Sequence, residues 1–177
     1  MNVYLRLFLF ILGSLSILRL SWQDLRQRRA YAVYRLLAFE AILLLILANA
    51  GAWFQAPLSL RQLFSWLLLA GSLGLAIHGF AMLRALGKQQ VTFDGTTRLV
   101  RSGAYRYIRH PLYTSLLLFA WGAFLKDFTA LSLALTLTAT ACLYATARAE
   151  ELEDLAKFGD DYARYVQETR MFIPFVL

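Results

Sequence analysis

Apolar residues in this chain come in long blocks. They show neither the alternation of a half-buried strand nor the narrow stripe of a soluble helix. Five blocks stand out: Val3–Leu20, Leu36–Trp53, Gln62–Leu83, Pro111–Leu125 and Phe128–Ala147. A helix needs about 20 predominantly apolar residues to cross the hydrocarbon core of a bilayer, so the blocks predict membrane helices. The first carries Arg6 and Arg19 near its ends, where long side chains can snorkel to water. The second has Glu40 one turn in, and the third is uncharged apart from His78. The fifth is free of charge. The fourth reaches only about 22 Å at 1.5 Å per residue, and only Lys126 and Asp127 separate it from the fifth. Those two read as a tight helical hairpin. No small-residue cleavage site follows the first block, which therefore reads as a retained helix rather than a signal peptide.

The predicted fold is all-α: one polytopic integral membrane domain over residues 1–177, with about five transmembrane helices and a C-terminal cytoplasmic tail. Residues 1–83 hold the first three helices, and 84–177 hold a polar loop, the hairpin and the tail. Composition agrees. Hydrophobic residues make up 59% of the chain and charged residues 16%, against about 25% charged in soluble domains. The single cysteine, Cys142, lies in an apolar run and reads as a small packing residue.

The net charge of +7 would suggest a nucleic-acid partner in a soluble protein. Its distribution argues otherwise. Fifteen of the Lys and Arg residues fall in alternate loops: 19–35, 84–109 and 148–170. Arg6, Arg61 and Lys126 fall in the opposite set. Positive residues concentrate on the cytoplasmic side, so the split predicts an outside N-terminus, a cytoplasmic C-terminus and the lipid bilayer, not nucleic acid, as the partner. Glu40 is expected to reach Arg35 or water, and His78 to be a neutral, hydrogen-bonded packing residue. Gly71, Gly74 and Gly79 are expected to let a neighbouring helix approach closely.

Two segments are more than hydrophobic. In Arg109-His110-Pro111 the proline suits the first turn of a helix, where its missing N–H costs nothing. His110 and Arg109 then stand beside the positive end of that helix, a good place for an anionic group. The fifth helix is expected to end in Arg148-Ala149-Glu150-Glu151-Leu152-Glu153-Asp154. Carboxylates are unusual at a face where basic residues are the norm, and a carboxylate can accept from both hydroxyls of a ribose diol. Arg148 can pair with Glu151 three residues on. Together these segments offer an anion cradle and a diol acceptor, which suits S-adenosylmethionine and a pyridine dinucleotide alike.

The run LVRSGAYRYIRHPLY, followed about 35 residues later by EELEDLAKFGDDYARYVQETRMFIP, resembles the isoprenylcysteine carboxyl methyltransferase family and its relatives, the membrane phospholipid methyltransferases. The resemblance covers roughly Leu83–Pro174. It implies an enzyme that holds S-adenosylmethionine on the cytoplasmic side and methylates a lipophilic small molecule reaching it through the bilayer. By this resemblance Leu99, Val100, Tyr105, His110, Pro111 and Tyr113 line the cofactor, Glu150 contacts it, and Gln90 adds a polar contact from the same loop. Arg109 and Glu151 are assigned to orienting the acceptor. The aromatic residues Phe158, Tyr162, Tyr165 and Phe172 are expected to pack the tail against the membrane face and cover the site. The family's usual proline is replaced by Ala104. The arginine that several prenylcysteine enzymes carry four residues before the first Glu is replaced by Thr146, which argues against a prenylcysteine carboxylate as acceptor. Two other classes remain open on the residues alone: a nicotinamide-dependent membrane lipid reductase, and a non-catalytic accessory protein on the same scaffold.

Overall fold

A computed structural model describes residues 2–86 and 99–174. Its elements are α1 (Val3–Arg26), α2 (Ala32–Ala48), α3 (Leu60–Leu86), a short 3-10 turn (Gly103–Arg106), α4 (Pro111–Phe124), α5 (Ala130–Phe158) and α6 (Asp160–Glu168). Every regular element among the described residues is helical. One isolated parallel bridge joins Ile108 to Arg170.

The all-α expectation holds, and the apolar blocks mark the five long elements. Their bounds differ where polarity, not helicity, changes. α1 runs on past Leu20 to Arg26, and α5 runs past Ala147 to Phe158. The charged stretch after Ala147 is the last turns of the same helix. Three helices, α1, α3 and α5, are long and apolar enough to cross a membrane, and α4 is a shorter apolar helix. These fit an integral membrane protein. α2 has 17 residues, so five full crossings are not required by length.

Contacts at both ends show that the five helices alternate in direction. At one end Arg35 on α2 meets Asp24 on α1 and Glu150 on α5, and His78 on α3 meets Ala104 just before α4. At the other end the Asn49 amide donates to the Ala123 carbonyl at 2.8 Å, and Ser132 donates to Asn49 at 2.7 Å. There the Lys126 ammonium donates to Gln62 at 2.9 Å and lies 3.4 Å from the Trp66 ring centroid. Lys126 is fully buried. A desolvated cation over an indole gains about 2 kcal/mol, which offsets part of the cost of burying it.

Between these ends α2 packs on α5, α3 on α4, and α1 on α2. The core is rich in small residues, among them Ala38, Ala41, Ala120, Ala123, Ala139 and Ala147. Small side chains let helices approach closely where lipid removes the hydrophobic drive to associate. Of the three glycines expected to serve packing, a Cβ on Gly79 would come within 3.1 Å of Leu112, whereas one on Gly74 would meet nothing within 4 Å. The Glu40 carboxylate, expected to reach Arg35 or water, accepts a 2.8 Å hydrogen bond from Ser14 on α1. His78 follows expectation and accepts from the Ala104 N–H at 3.1 Å. Gly103 has φ +62°, and a Cβ there would lie 2.5 Å from His78 Nε2. Glycine is required here both by the backbone and by the close approach.

Candidate functional site

A cavity of about 100 Å³ opens at the end where Glu150, His110 and the segment 99–110 converge. Helix α4 begins at Pro111, with His110 at its N-cap. The preceding backbone is held by the returning tail: the N–H groups of Arg109 and His110 donate to the carbonyls of Arg170 and Met171 at 2.7 and 3.2 Å. His110 is therefore fixed by main-chain bonds before its side chain makes any contact.

The His110 imidazole stands between two carboxylates. Its Nδ1 is 3.8 Å from Glu150 and its Nε2 is 3.5 Å from Glu151. The ring stacks on Tyr113 with centroids 5.6 Å apart. The buried Nε2 makes no aligned hydrogen bond to any described residue. Tyr113 donates its hydroxyl to Glu150. Glu151 is tied down from two sides: Arg109 Nε donates to it at 2.6 Å, and Arg148 donates from one turn back at 3.2 Å. The Arg109 fork also donates to the carbonyls of Thr169 at 2.7 Å and Val166 at 3.3 Å. Charge-assisted bonds of this kind are short and roughly twice as strong as neutral ones, so Arg109 joins the start of α4, the end of α5 and the tail.

α6 covers the cavity. Gly159, at φ +56°, ends α5 and starts α6. α6 turns Tyr162 and Tyr165 inward, three residues apart on one face. Tyr165 donates to the Tyr105 carbonyl at 2.6 Å. Burial pushes all three phenols, Tyr105, Tyr162 and Tyr165, well above the usual tyrosine range. For Tyr105 the neighbouring Tyr165 and Glu150 add to this, for Tyr162 the charges of Asp154 and Glu151 do, and for Tyr165 nearby Arg109 and Arg101 oppose it. All three phenols line the cavity.

Of the residues singled out in the sequence, Leu99, Val100, Tyr105, Arg109, His110, Tyr113 and Glu150 line the cavity. Pro111 opens α4 behind His110, and Glu151 stands behind the lining, in contact with Arg109 and His110. Gln90 lies outside the described residues. Phe158, Tyr162 and Tyr165 line the cavity as expected of the tail aromatics. Phe172 lies beside His110 and Tyr144 instead. Leu83, Leu112 and Asp154 also line it, and the sequence reading missed them. Asp154 could have been found: it is four residues after Glu150, on the same face of α5. Leu83 is one leucine among many in its block.

Chemically the cavity pairs apolar and aromatic walls with two carboxylates, an imidazole and a guanidinium, at one end of an apolar helical bundle. That is the makeup of a membrane protein that binds an amphiphilic, charged small molecule. The family model for phospholipid methyltransferase matches residues 60–158. The chain belongs to that family, within the superfamily of membrane methyltransferases that includes the isoprenylcysteine carboxyl methyltransferases. Comparison with curated proteins and with solved structures gave no match.

Proposed function

We propose that the protein is a membrane-embedded methyltransferase that binds S-adenosylmethionine in this cavity and methylates a lipid-like or small hydrophobic acceptor arriving through the bilayer. The observation that carries the reading is the convergence of Glu150, Asp154, His110 and Arg109 on one cavity, in a chain of the phospholipid methyltransferase family.

The residues suit that cofactor. Glu150 can accept from ribose hydroxyls. The aliphatic and aromatic walls suit an adenine ring. Arg109 and His110, which line the cavity, suit a carboxylate. When bound, the cofactor supplies an electrophilic methyl on a sulfonium centre. The chain's part is alignment and exclusion of water. The Arg109–Glu151 pair holds the segment before α4 against the tail, and through it orients the acceptor side. The rings of Tyr162 and Tyr165 close the cavity to water. We place the N-terminus outside and the C-terminus in the cytoplasm. This rests on the distribution of Lys and Arg and on the gathering of Arg35, Arg109 and Arg148 at the cavity end.

Binding measured by calorimetry in detergent tests the reading. A hydrogen bond to a charged group is worth about 1.5–3 kcal/mol, so Glu150→Gln is expected to weaken S-adenosylmethionine binding roughly 10- to 150-fold. His110→Ala is expected to weaken it as well. Unchanged affinity in both variants, or binding of NADPH in preference to S-adenosylmethionine, overturns the reading. Incubation with labelled S-adenosylmethionine and lipid extract then identifies the acceptor from the labelled product.

A further inference from the structure

The family match begins at residue 60, so α1 and α2 lie outside it. One side chain from that region nevertheless reaches the cavity wall. Arg35, in the first turn of α2, is buried with 4% of its surface exposed. Its guanidinium donates to Asp24 near the end of α1, and its other terminal nitrogen lies 3.8 Å from Glu150 Oε1. It also lies over the Tyr31 ring, 4.9 Å from the centroid. Burying an arginine is costly unless its charge is compensated, and here the compensating partners are Asp24 on one helix and the cavity carboxylate on another.

Glu150 is thus approached from three sides. Tyr113 on α4 donates to Oε1, Arg35 on α2 faces the same oxygen, and His110 stands 3.8 Å from Oε2. A planar guanidinium held by a second carboxylate is a stiff support. We propose that Arg35, braced by Asp24, is a positioning residue that fixes the orientation and charge of Glu150 for ligand binding. The N-terminal helix pair is then a working part of the site and not only a membrane anchor. The inference rests on the reading of the cavity as an S-adenosylmethionine site. Arg29 and Glu153 make a second link between the same regions at 2.6 Å, but with Arg29 exposed and Glu153 half-exposed, where an ion pair is worth little. That pair is a control for tying the helices together without touching the cavity.

The test is a double-mutant cycle on S-adenosylmethionine affinity, using the full chain in detergent. Arg35→Met alone is expected to weaken binding about tenfold, as for charges coupled through one network. In a Glu150→Gln background the same change is expected to cost about twofold or less, because the group it positions is already altered. Arg35→Lys keeps the charge without the fork and is expected to recover part of the loss. Arg29→Ala is expected to leave binding unchanged. Asp24→Asn enters the same cycle, so a poorly folded Arg35→Met does not spare the inference: coupling of Asp24→Asn or Arg35→Lys to Glu150→Gln supports it. Losses that add independently of Glu150, or no loss at all, overturn it while leaving the cofactor reading intact. Unchanged binding in Glu150→Gln overturns the inference, and unchanged binding in His110→Ala as well overturns the cofactor reading too.

Discussion

At the scale of single residues, Thr146 decides most about the acceptor. Its side chain is fully buried, and its hydroxyl donates to the Cys142 carbonyl of its own helix at 2.8 Å. It therefore brings neither a cation nor a spare hydroxyl to a substrate carboxylate, for which an arginine fork would be the strong and specific partner. Purified protein is expected to turn over acetyl-farnesylcysteine weakly or not at all, and to work better on phospholipid, quinone or thiol acceptors. Efficient methylation of the farnesylcysteine analogue would refute this. The site residues most legible in the sequence were those adjacent to one another: Arg109-His110-Pro111 and the Glu150-Glu151 pair declare themselves by unusual neighbours. Arg35 could not be found in that way. It reads as one more arginine of a basic loop, and nothing local tells a membrane anchor from a residue aimed at a carboxylate on a helix far along the chain.

At the scale of elements, the apolar blocks located five helices, and the charged run from Arg148 to Asp154 reads as the end of the fifth, which the structure carries on to Phe158. Hydrophobicity stops at Ala147, while helical hydrogen bonding continues to Phe158, because Arg, Glu and Lys propagate a helix as readily as apolar residues do. That polar extension is what carries Glu150 and Asp154 to the cavity. α6 is the complementary case, a short amphipathic helix whose inner face is two tyrosines. Its docking has a spectroscopic consequence. Tyr105, Tyr162 and Tyr165 bind their protons more tightly folded than unfolded. The stability this gives is fully present below the unfolded tyrosine value of about 10 and is lost as pH rises beyond it. In an absorbance titration, Tyr105, Tyr162 and Tyr165 are expected to resist ionisation through pH about 10 and then to ionise together as α6 detaches. Smooth titration of all nine tyrosines near the ordinary value would show that α6 does not bury these three in solution.

At the scale of the molecule, the alternation of helices was legible because charge follows it. Asp24, Arg35, Arg109 and Arg148 all sit at the cavity end. In the proposed orientation, a reporter active only in the cytoplasm is expected to work when fused to the C-terminus and to fail when placed at Trp53. The reverse pattern at either position would overturn the topology. How the two ends are fastened was not legible. The cage around Lys126 joins residues from two separate blocks to the turn after α4, and only the folded chain brings Trp53, Trp66 and Gln62 to one lysine.

The unbroken course of α5 has one more consequence. Its cap, Thr129, lies beside that far-end cage, and its residue Glu150 forms the cavity wall. The intervening run measures about 32 Å at 1.5 Å per residue, close to the roughly 30 Å thickness of bilayer hydrocarbon. One rigid rod therefore works as a depth gauge. In the proposed orientation, with its base at the outer boundary, it would set the carboxylate at the level where a lipid's polar group first meets water on the other side. A lipid acceptor of the proposed reaction would then not need to be lifted out of its leaflet, because the cavity lies at the height where such a molecule already floats.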